Sequence, residues 1–368
     1  MKNLLFLFLI SVRLLAQTES PLEILIPGGT FDLGDFQDAS PDARPIIGVQ
    51  VASFWMERDP VTYDLWTGVY SWAVTNGYAF SNPGKGKGPQ HPVHSIPWKD
   101  AVRWCNARSE REGRTPVYYV DPGFAQVFKS GDFEIRANWT ANGYRLPTEA
   151  EWEKAARGAL NRKRFPRGDS LGISDANFYA GATGTNVPVY MGGLTGYDAL
   201  YAKDGMPYTS PVDAFPPNGL GLRGMAGNVF QWCWDWYSPT YSAADNPRGS
   251  DSGSRKVMRG GSWFGQSYYA RTGYRNSMNP RFAVNTCGFR CAISAAAPNI
   301  PRVGVVLTNG QIHLSFDAQL GARYSIQQAP TAVGPWTDTA MLDGRDGSLS
   351  WNDVLIRESS RFYRVLAQ

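Results

Sequence analysis

The chain has 368 residues, 43 % of them hydrophobic, which is enough for two domains around sizeable cores. Its formal charge of +4 is small for that length, and no basic run or basic–aromatic stripe in the sequence points to nucleic acid. With 39 Gly, 25 Pro and 13 Trp, the composition suits loops pinned by buried rings and argues against a helix bundle.

Met1 and Lys2 precede the apolar run Leu4–Ile10, and the stretch closes on Leu14-Leu15-Ala16. A positive start, a short apolar core and a small final residue predict a secretory signal over residues 1–16, too short to span a bilayer, despite Arg13 within it. The expected destination is secreted, periplasmic or cell-surface. No later segment is apolar enough for a transmembrane helix.

Residues Ile24 to Asp35 alternate around Gly28-Gly29 and predict a strand pair. Leu65, Trp66, Val69 and Trp72 recur at helical spacing and predict a helix over Thr62–Thr75. A second helix is expected from Trp98 to Glu110 after Pro97, with Ala101, Val102, Trp104 and Cys105 on one face. A third opens at Leu146-Pro147-Thr148, where Thr148 can cap the free amides and Glu149, Glu151 and Glu153 oppose the helix dipole. From Phe165 to Gly261 periodicity vanishes, so metal, disulfides or stacked rings must organise that stretch.

Residues 295–301 break the composition and read as a linker. Beyond them Val303–Leu307, Ile312–Phe316, Tyr324–Gln328 and Phe362–Leu366 alternate like strands, predicting a small β-sandwich over 302–368, a spacer or adhesion module. Cys105, Cys233, Cys287 and Cys291 allow three full pairings that spacing cannot separate, and no C-x-x-C pair suggests zinc or thioredoxin chemistry. His91 and His94 are the main domain's histidines, and Pro92 between them favours an extended segment over a metal-binding helix face.

Six strings occur in one order: I-P-G-G-T-F-D-L-G, H-P-V-H-S-I-P-W-K-D-A-V-R-W-C-N, G-Y-R-L-P-T-E-A-E-W-E-K-A-A-R-G, P-V-D-A-F-P-P-N-G-L-G-L-R-G-M-A-G-N-V-F-Q-W, R-G-G-S-W and C-G-F-R-C-A. Residues 22–294 thereby resemble the formylglycine-generating (sulfatase-modifying factor) enzymes. The resemblance implies an α+β, C-type-lectin-like fold with little regular structure, followed here by the all-β extension.

The family's oxidases use copper(I) held by two cysteines after R-G-G-S, because soft thiolates select that ion. Gly265 and Ala270 take those places, and no cysteine lies between Cys233 and Cys287. Copper is therefore not expected, and the resemblance implies a non-oxidase binding or scaffold member. An extracytoplasmic oxidoreductase or maturation enzyme with different chemistry, and a lectin-like variable recognition protein, remain the alternatives. Arg259, Ser262, Trp263, Gln266, Tyr269 and Arg271 are the candidates for binding a peptide, protein or glycan, with Ser262 matching a family active-site serine.

By the same resemblance one calcium site is expected on Asn177, Phe178, Asp204 and Met206. A second falls on Gly224, Gly227, Val229 and Gln231, where the carboxylate is gone and binding is expected to be weak or absent, Asp235 being the nearby substitute. Cys105 and Cys291 match a disulfide of some members, worth roughly 4–5 kcal/mol in the chain-entropy model. Cys233–Cys287 is the weaker pairing.

Overall fold

The structure, a computed structural model, describes residues 22–38, 40–181, 189–190, 196–241 and 244–295, and six strands between 304 and 367. The signal expected over 1–16 and residues 296–301 of the linker lie outside the described residues. Among the described residues no helix is long and apolar enough to cross a membrane.

Strands β1 (Glu23–Ile26) and β2 (Gly29–Leu33) form where alternation predicted them, but they do not pair with each other. β1 pairs with β4 (Phe54–Glu57), and β2 with β3 (Ile46–Val51). The reason lies at Gly28-Gly29. Gly29 adopts φ +121°, and a β-carbon on Gly28 would sit 2.9 Å from the Ser53 amide nitrogen, so the chain bends past Ala52-Ser53 into a different sheet and does not reverse.

Helix α1 (Tyr63–Thr75) is capped by Thr62, whose hydroxyl accepts the Leu65 N–H, and α2 (Trp98–Arg111) follows Pro97. They pack through Trp66 and Trp104, stacked at 5.7 Å and 5°, with Phe289 edge-on to both. The short strands β5 (Tyr118–Tyr119), β6 (Arg136–Ala137) and β7 (Tyr144–Arg145) lead to α3 (Glu149–Arg157). Its N-terminus is a full capping box. The Thr148 side chain takes the Glu151 N–H, and the Glu151 side chain takes the Thr148 N–H.

The aperiodic stretch contains β8 (Leu171–Gly172), β9 (Val189–Tyr190) and the short α4 (Ala199–Ala202) before β10 (Phe230–Trp236). β11 (Lys256–Arg259), β12 (Asn276–Met278), β13 (Cys287–Gly288) and β14 (Ala292–Ser294) complete this part. Two four-stranded sheets result, ordered β1-β4-β14-β7 and β12-β11-β10-β13, the last pair parallel. One core gathers the rings between α1 and α2; a second seats α3, through Trp152, against β1–β4, β10 and β11; a smaller third joins Phe165, Leu171 and Phe178 to Ala270.

The C-terminal part is all strand among its described residues: β15 (Gly304–Thr308), β16 (Gln311–Ala318), β17 (Arg323–Ala329), β18 (Thr337–Asp343), β19 (Gly347–Val354) and β20 (Phe362–Ala367). They form two antiparallel sheets, β15-β16-β19 and β18-β17-β20. Alternation in the sequence marked four of the six. β18 (TDTAMLD) and β19 (GSLSWNDV) carry too many polar residues to stand out.

Candidate functional site around the R-G-G-S-W turn

The β10–β11 hairpin carries the site. Gln231 pairs with Arg259 in its register, and the chain then leaves β11 through Gly260 and Gly261, both at positive φ (+97° and +76°). A β-carbon on Gly261 would lie 3.0 Å from the Ala270 backbone, so the turn closes tightly on the 3₁₀ segment Ser267–Ala270.

The six candidate groove residues divide into two sets. Arg259 is fully buried: its guanidinium donates to Glu149 Oε1 (3.2 Å), to Glu153 and to the Thr272 carbonyl (2.6 Å). Burial opposes its charge, but Tyr241, Glu153 and Glu149 together raise its pKa. Arg271 is also enclosed, bound to Asp35 (2.9 Å) and Asp38 (2.7 Å) and lying 3.9 Å from the Tyr268 ring centroid. Trp263 and Ser262 are buried in the turn, where the Ser262 carbonyl accepts the Gly265 N–H (3.0 Å). These four are framework. Only Gln266 and Tyr269 of the set are half-exposed.

The two positions matching the copper thiolates are occupied differently. A β-carbon on Gly265 would stand 2.9 Å from the Tyr269 ring, so that ring fills the first place. Ala270 is buried at the second. Five rings cover the turn: Trp263 meets Tyr208 (5.1 Å), Phe264 (5.5 Å) and Tyr197 (5.8 Å), and Tyr197 meets Tyr179 (4.9 Å). Tyr179 is tied to the loop by donating its N–H to the Gly265 carbonyl (2.9 Å), and Phe264 is 58 % exposed. No short motif marks Tyr179, Tyr197 and Tyr208, and the sequence reading missed them.

His91 and His94 lie on an extended segment, bridged through Pro92 to Thr62 and through His94 to Lys85. His94 Nδ1 meets the Ser95 hydroxyl (3.0 Å), while buried Nε2 has no partner. Burial, then the charge of Lys85, pushes its pKa down to about 4.

The two calcium sets differ sharply in their surroundings. Asn177 is buried, its Nδ2 donating to the Tyr208 carbonyl (2.7 Å), which leaves Oδ1 for a cation; Met206 is 67 % exposed and Asp204 exposed. Among the described residues no hydrogen bond takes the Asp204 carboxylate or the Phe178 and Met206 carbonyls. These four oxygens are hard donors of the kind calcium selects, and in chemistry they fit it. At the second set Gln231 is fully buried, with its amide oxygen saturated and its nitrogen engaged. Its Oε1 accepts from Trp152 Nε1 (2.8 Å) and Arg290 Nε (2.7 Å), and its Nε2 donates to the Gly224 carbonyl (2.7 Å). Arg290 also binds the carbonyls of Glu57 (2.9 Å) and Arg223 (2.6 Å), so a guanidinium stands beside the amide, its pKa lowered to about 10 by burial. Those residues do not fit a divalent cation. Asp235, the proposed substitute, accepts the Glu149 N–H (2.7 Å), and burial with Glu149 nearby raises its pKa to about 8.

Cys105 Sγ and Cys291 Sγ are neighbours at 3.8 Å, a contact between thiols and longer than the ~2.05 Å of a bond. Cys233 and Cys287 are buried thiols on adjacent strands β10 and β13, and burial raises the pKa of both.

This geometry matches known proteins across most of the chain. The formylglycine-generating enzyme of Thermomonospora curvata is 33 % identical over 296 residues, 73 % of this chain and 92 % of the relative. That of Streptomyces coelicolor is 33 % identical over 299 residues, 74 % of this chain and 89 % of its own. Among solved structures, Treponema denticola variable protein 1 superposes with TM-score 0.56 at 26 % identity, covering 74 % of this chain and 95 % of that one. CarF gives TM-score 0.55 at 28 % identity over 74 % of this chain and 98 % of its own. PvdO from Pseudomonas aeruginosa, at 23 % identity and TM-score 0.53 over 74 % of this chain and 94 % of its own, shares the fold. With its α+β, C-type-lectin-like fold and a match to the sulfatase-modifying factor enzyme 1-like domain over residues 12–295, the chain belongs to the formylglycine-generating (sulfatase-modifying factor) family.

Proposed function

We propose that this member binds a ligand and performs no copper-thiolate oxidation. The observation that carries the reading is the R-G-G-S-W loop itself: it holds no thiol, and the Tyr269 ring lies where a side chain at Gly265 would project. Oxygen activation on copper(I) needs soft sulfur donors, and the oxygen, amide and aromatic groups of this loop are not such donors. What it presents outward are Phe264, Gln266 and Tyr269, an amphipathic set suited to contact with a peptide or glycan.

Incubating the purified chain with a C-x-P-x-R sulfatase peptide, copper and oxygen is the direct test. The peptide mass should stay unchanged; appearance of the aldehyde ends the proposal. A recognition role has support from the variable protein of Treponema denticola, which shares the fold at 26 % identity. In this reading the chain is exported after removal of residues 1–16, calcium sits on Asn177, Phe178, Asp204 and Met206, and Cys105–Cys291 oxidises to a disulfide. Copper has no site. The 302–368 segment is a small β-sandwich that serves as a spacer or adhesion module.

A further inference from the structure

The far end of the β10–β11 hairpin opens a concavity of about 1300 Å³. Trp236 pairs with Lys256 at that end, while Gln231 pairs with Arg259 at the other, so the groove begins five residues along β10, roughly 17 Å from the R-G-G-S-W turn. Its volume exceeds the ~300–1,000 Å³ of ordinary small-molecule sites and suits an extended oligomer.

The walls are aromatic. Trp139, Trp234 and Trp236 are half-buried, and Phe133 stands 56 % exposed at the lip. Trp98 and Lys256 form the floor. The Lys256 Nζ lies 3.8 Å from the Trp236 ring centroid, 4.0 Å from Trp98 and 4.9 Å from Trp234, and it donates to the Trp234 carbonyl (2.7 Å). One lysine thus touches three indoles, and Trp98 also packs directly on Trp234 (5.5 Å) and Trp236 (6.4 Å), a preorganised platform that a ligand need not order.

The rim is basic. Lys256 belongs to the floor and Arg103 is buried against Asp100 (2.8 Å), which leaves Lys99, Arg136, Arg248 and Arg281 at the rim facing three carboxylates, and one of the three, Asp132, already binds both Lys99 and Arg281. Arg248 lies 4.3 Å from the Trp139 ring centroid, exposed, with no carboxylate partner among the described residues. Arg136 reaches Glu134 only at 3.7 Å.

From this juxtaposition we infer that the groove binds an anionic polysaccharide, its sugar faces on Trp139 and Trp236, with Trp234 held behind them by its stack on Tyr118, and its sulfate or carboxylate groups on Arg248 and Arg136. The negative face of an indole attracts the electropositive C–H face of a pyranose ring. A guanidinium offers the flat pair of N–H donors that a sulfate or carboxylate oxygen pair accepts. A nucleic-acid strand needs a longer run of free cations than the few here, and an apolar peptide would leave the arginines desolvated and unpaired. The inference concerns a different surface from the R-G-G-S-W loop and stands whether or not that loop oxidises peptides.

The test is a tryptophan-fluorescence and calorimetric titration of the full chain with octasaccharide fractions. Chondroitin sulfate, its chemically desulfated form, oligogalacturonate and neutral dextran serve as probes, and the first three separate sulfate from carboxylate recognition. At least one anionic fraction should bind about tenfold or more tighter than dextran, and its affinity should fall as salt rises from about 0.05 to about 0.5 M. Arg248→Ala and Arg136→Ala, both on exposed side chains, should each weaken binding about tenfold, while Arg323→Ala in β17 leaves it unchanged. Equal binding of dextran, no saturation by any anionic fraction, an unaffected Arg248→Ala variant, or tighter binding of an oligo-dT strand or an acidic peptide would each overturn it.

Discussion

Gln231 shows how one residue can turn a cation site into a packing node. Where the resemblance places a metal-binding carboxylate, an amide satisfies Trp152, Arg290 and Gly224 at once. Replacing it by leucine strips partners from a buried indole N–H and a buried guanidinium, so Gln231→Leu should lower stability by about 2–4 kcal/mol, read as a shift in the urea midpoint. An unchanged midpoint would mean that water substitutes for the amide. His94 gives a prediction in pH. Its folded pKa of about 4 lies below the unfolded ~6.5, so the unfolded chain binds the extra proton between those values. Its contribution is intact above pH ~6.5 and is lost as pH falls towards ~4, amounting to about 2 kcal/mol by pH ~5. His94→Gln should narrow the difference in unfolding free energy between pH ~7 and pH ~5 by that amount. An identical difference in both proteins would place the acid sensitivity elsewhere.

At the level of elements, α3 is where local and long-range chemistry meet. Its first turn is legible from Thr148, Glu149 and Glu151 alone, because a capping box involves residues three apart. Thr148→Ala should cost about 1 kcal/mol, measured by thermal or urea unfolding. The destiny of its acids is not legible. The sequence suggests dipole compensation, yet Glu149 is held by Arg259 and Arg275 (2.7 Å to Nε), and Glu153 by Arg157 and Arg259. Burial alone would raise the Glu153 pKa, but Arg157 and Arg259 hold it below the usual range. Arg259→Met should destabilise by about 3 kcal/mol, because both carboxylates keep one partner each, and a loss under about 1 kcal/mol would show the network to be dispensable. The same contrast governs Arg271, whose partner Asp35 is 236 residues away. Read as a string, R-G-G-S-W with its following arginine looks like an exposed binding loop; folded, both arginines become struts.

For the whole molecule, closure depends on β14 returning to β4 and β7, which brings Cys291 against Cys105 on α2. If the pair oxidises, alkylation of the unreduced, denatured chain should leave Cys105 and Cys291 unmodified and Cys233 and Cys287 labelled. Reduction should then lower the unfolding midpoint by an amount equivalent to about 2–5 kcal/mol. Four labelled cysteines before reduction would reject the bond. Metal analysis belongs at this scale too: about one calcium per chain is expected, and a second would contradict the engagement of the Gln231 amide oxygen by Trp152 and Arg290.

Family, the starts of α1, α2 and α3 and the absence of thiols after R-G-G-S were all determined by the sequence alone. Each depends on residue identity or on spacing of three or four, which acts whatever the rest of the chain does. The tertiary structure alone decided that β1 and β2 join different sheets, that Arg259 and Arg271 are interior, and that Trp98, Trp139, Trp234 and Trp236 line one basic groove. These outcomes rest on contacts between segments tens to hundreds of residues apart, such as Trp98 with Trp236 and Arg271 with Asp35. No periodicity records such meetings. Burial of apolar surface brings the segments together, and their charges must then find partners in whatever company results.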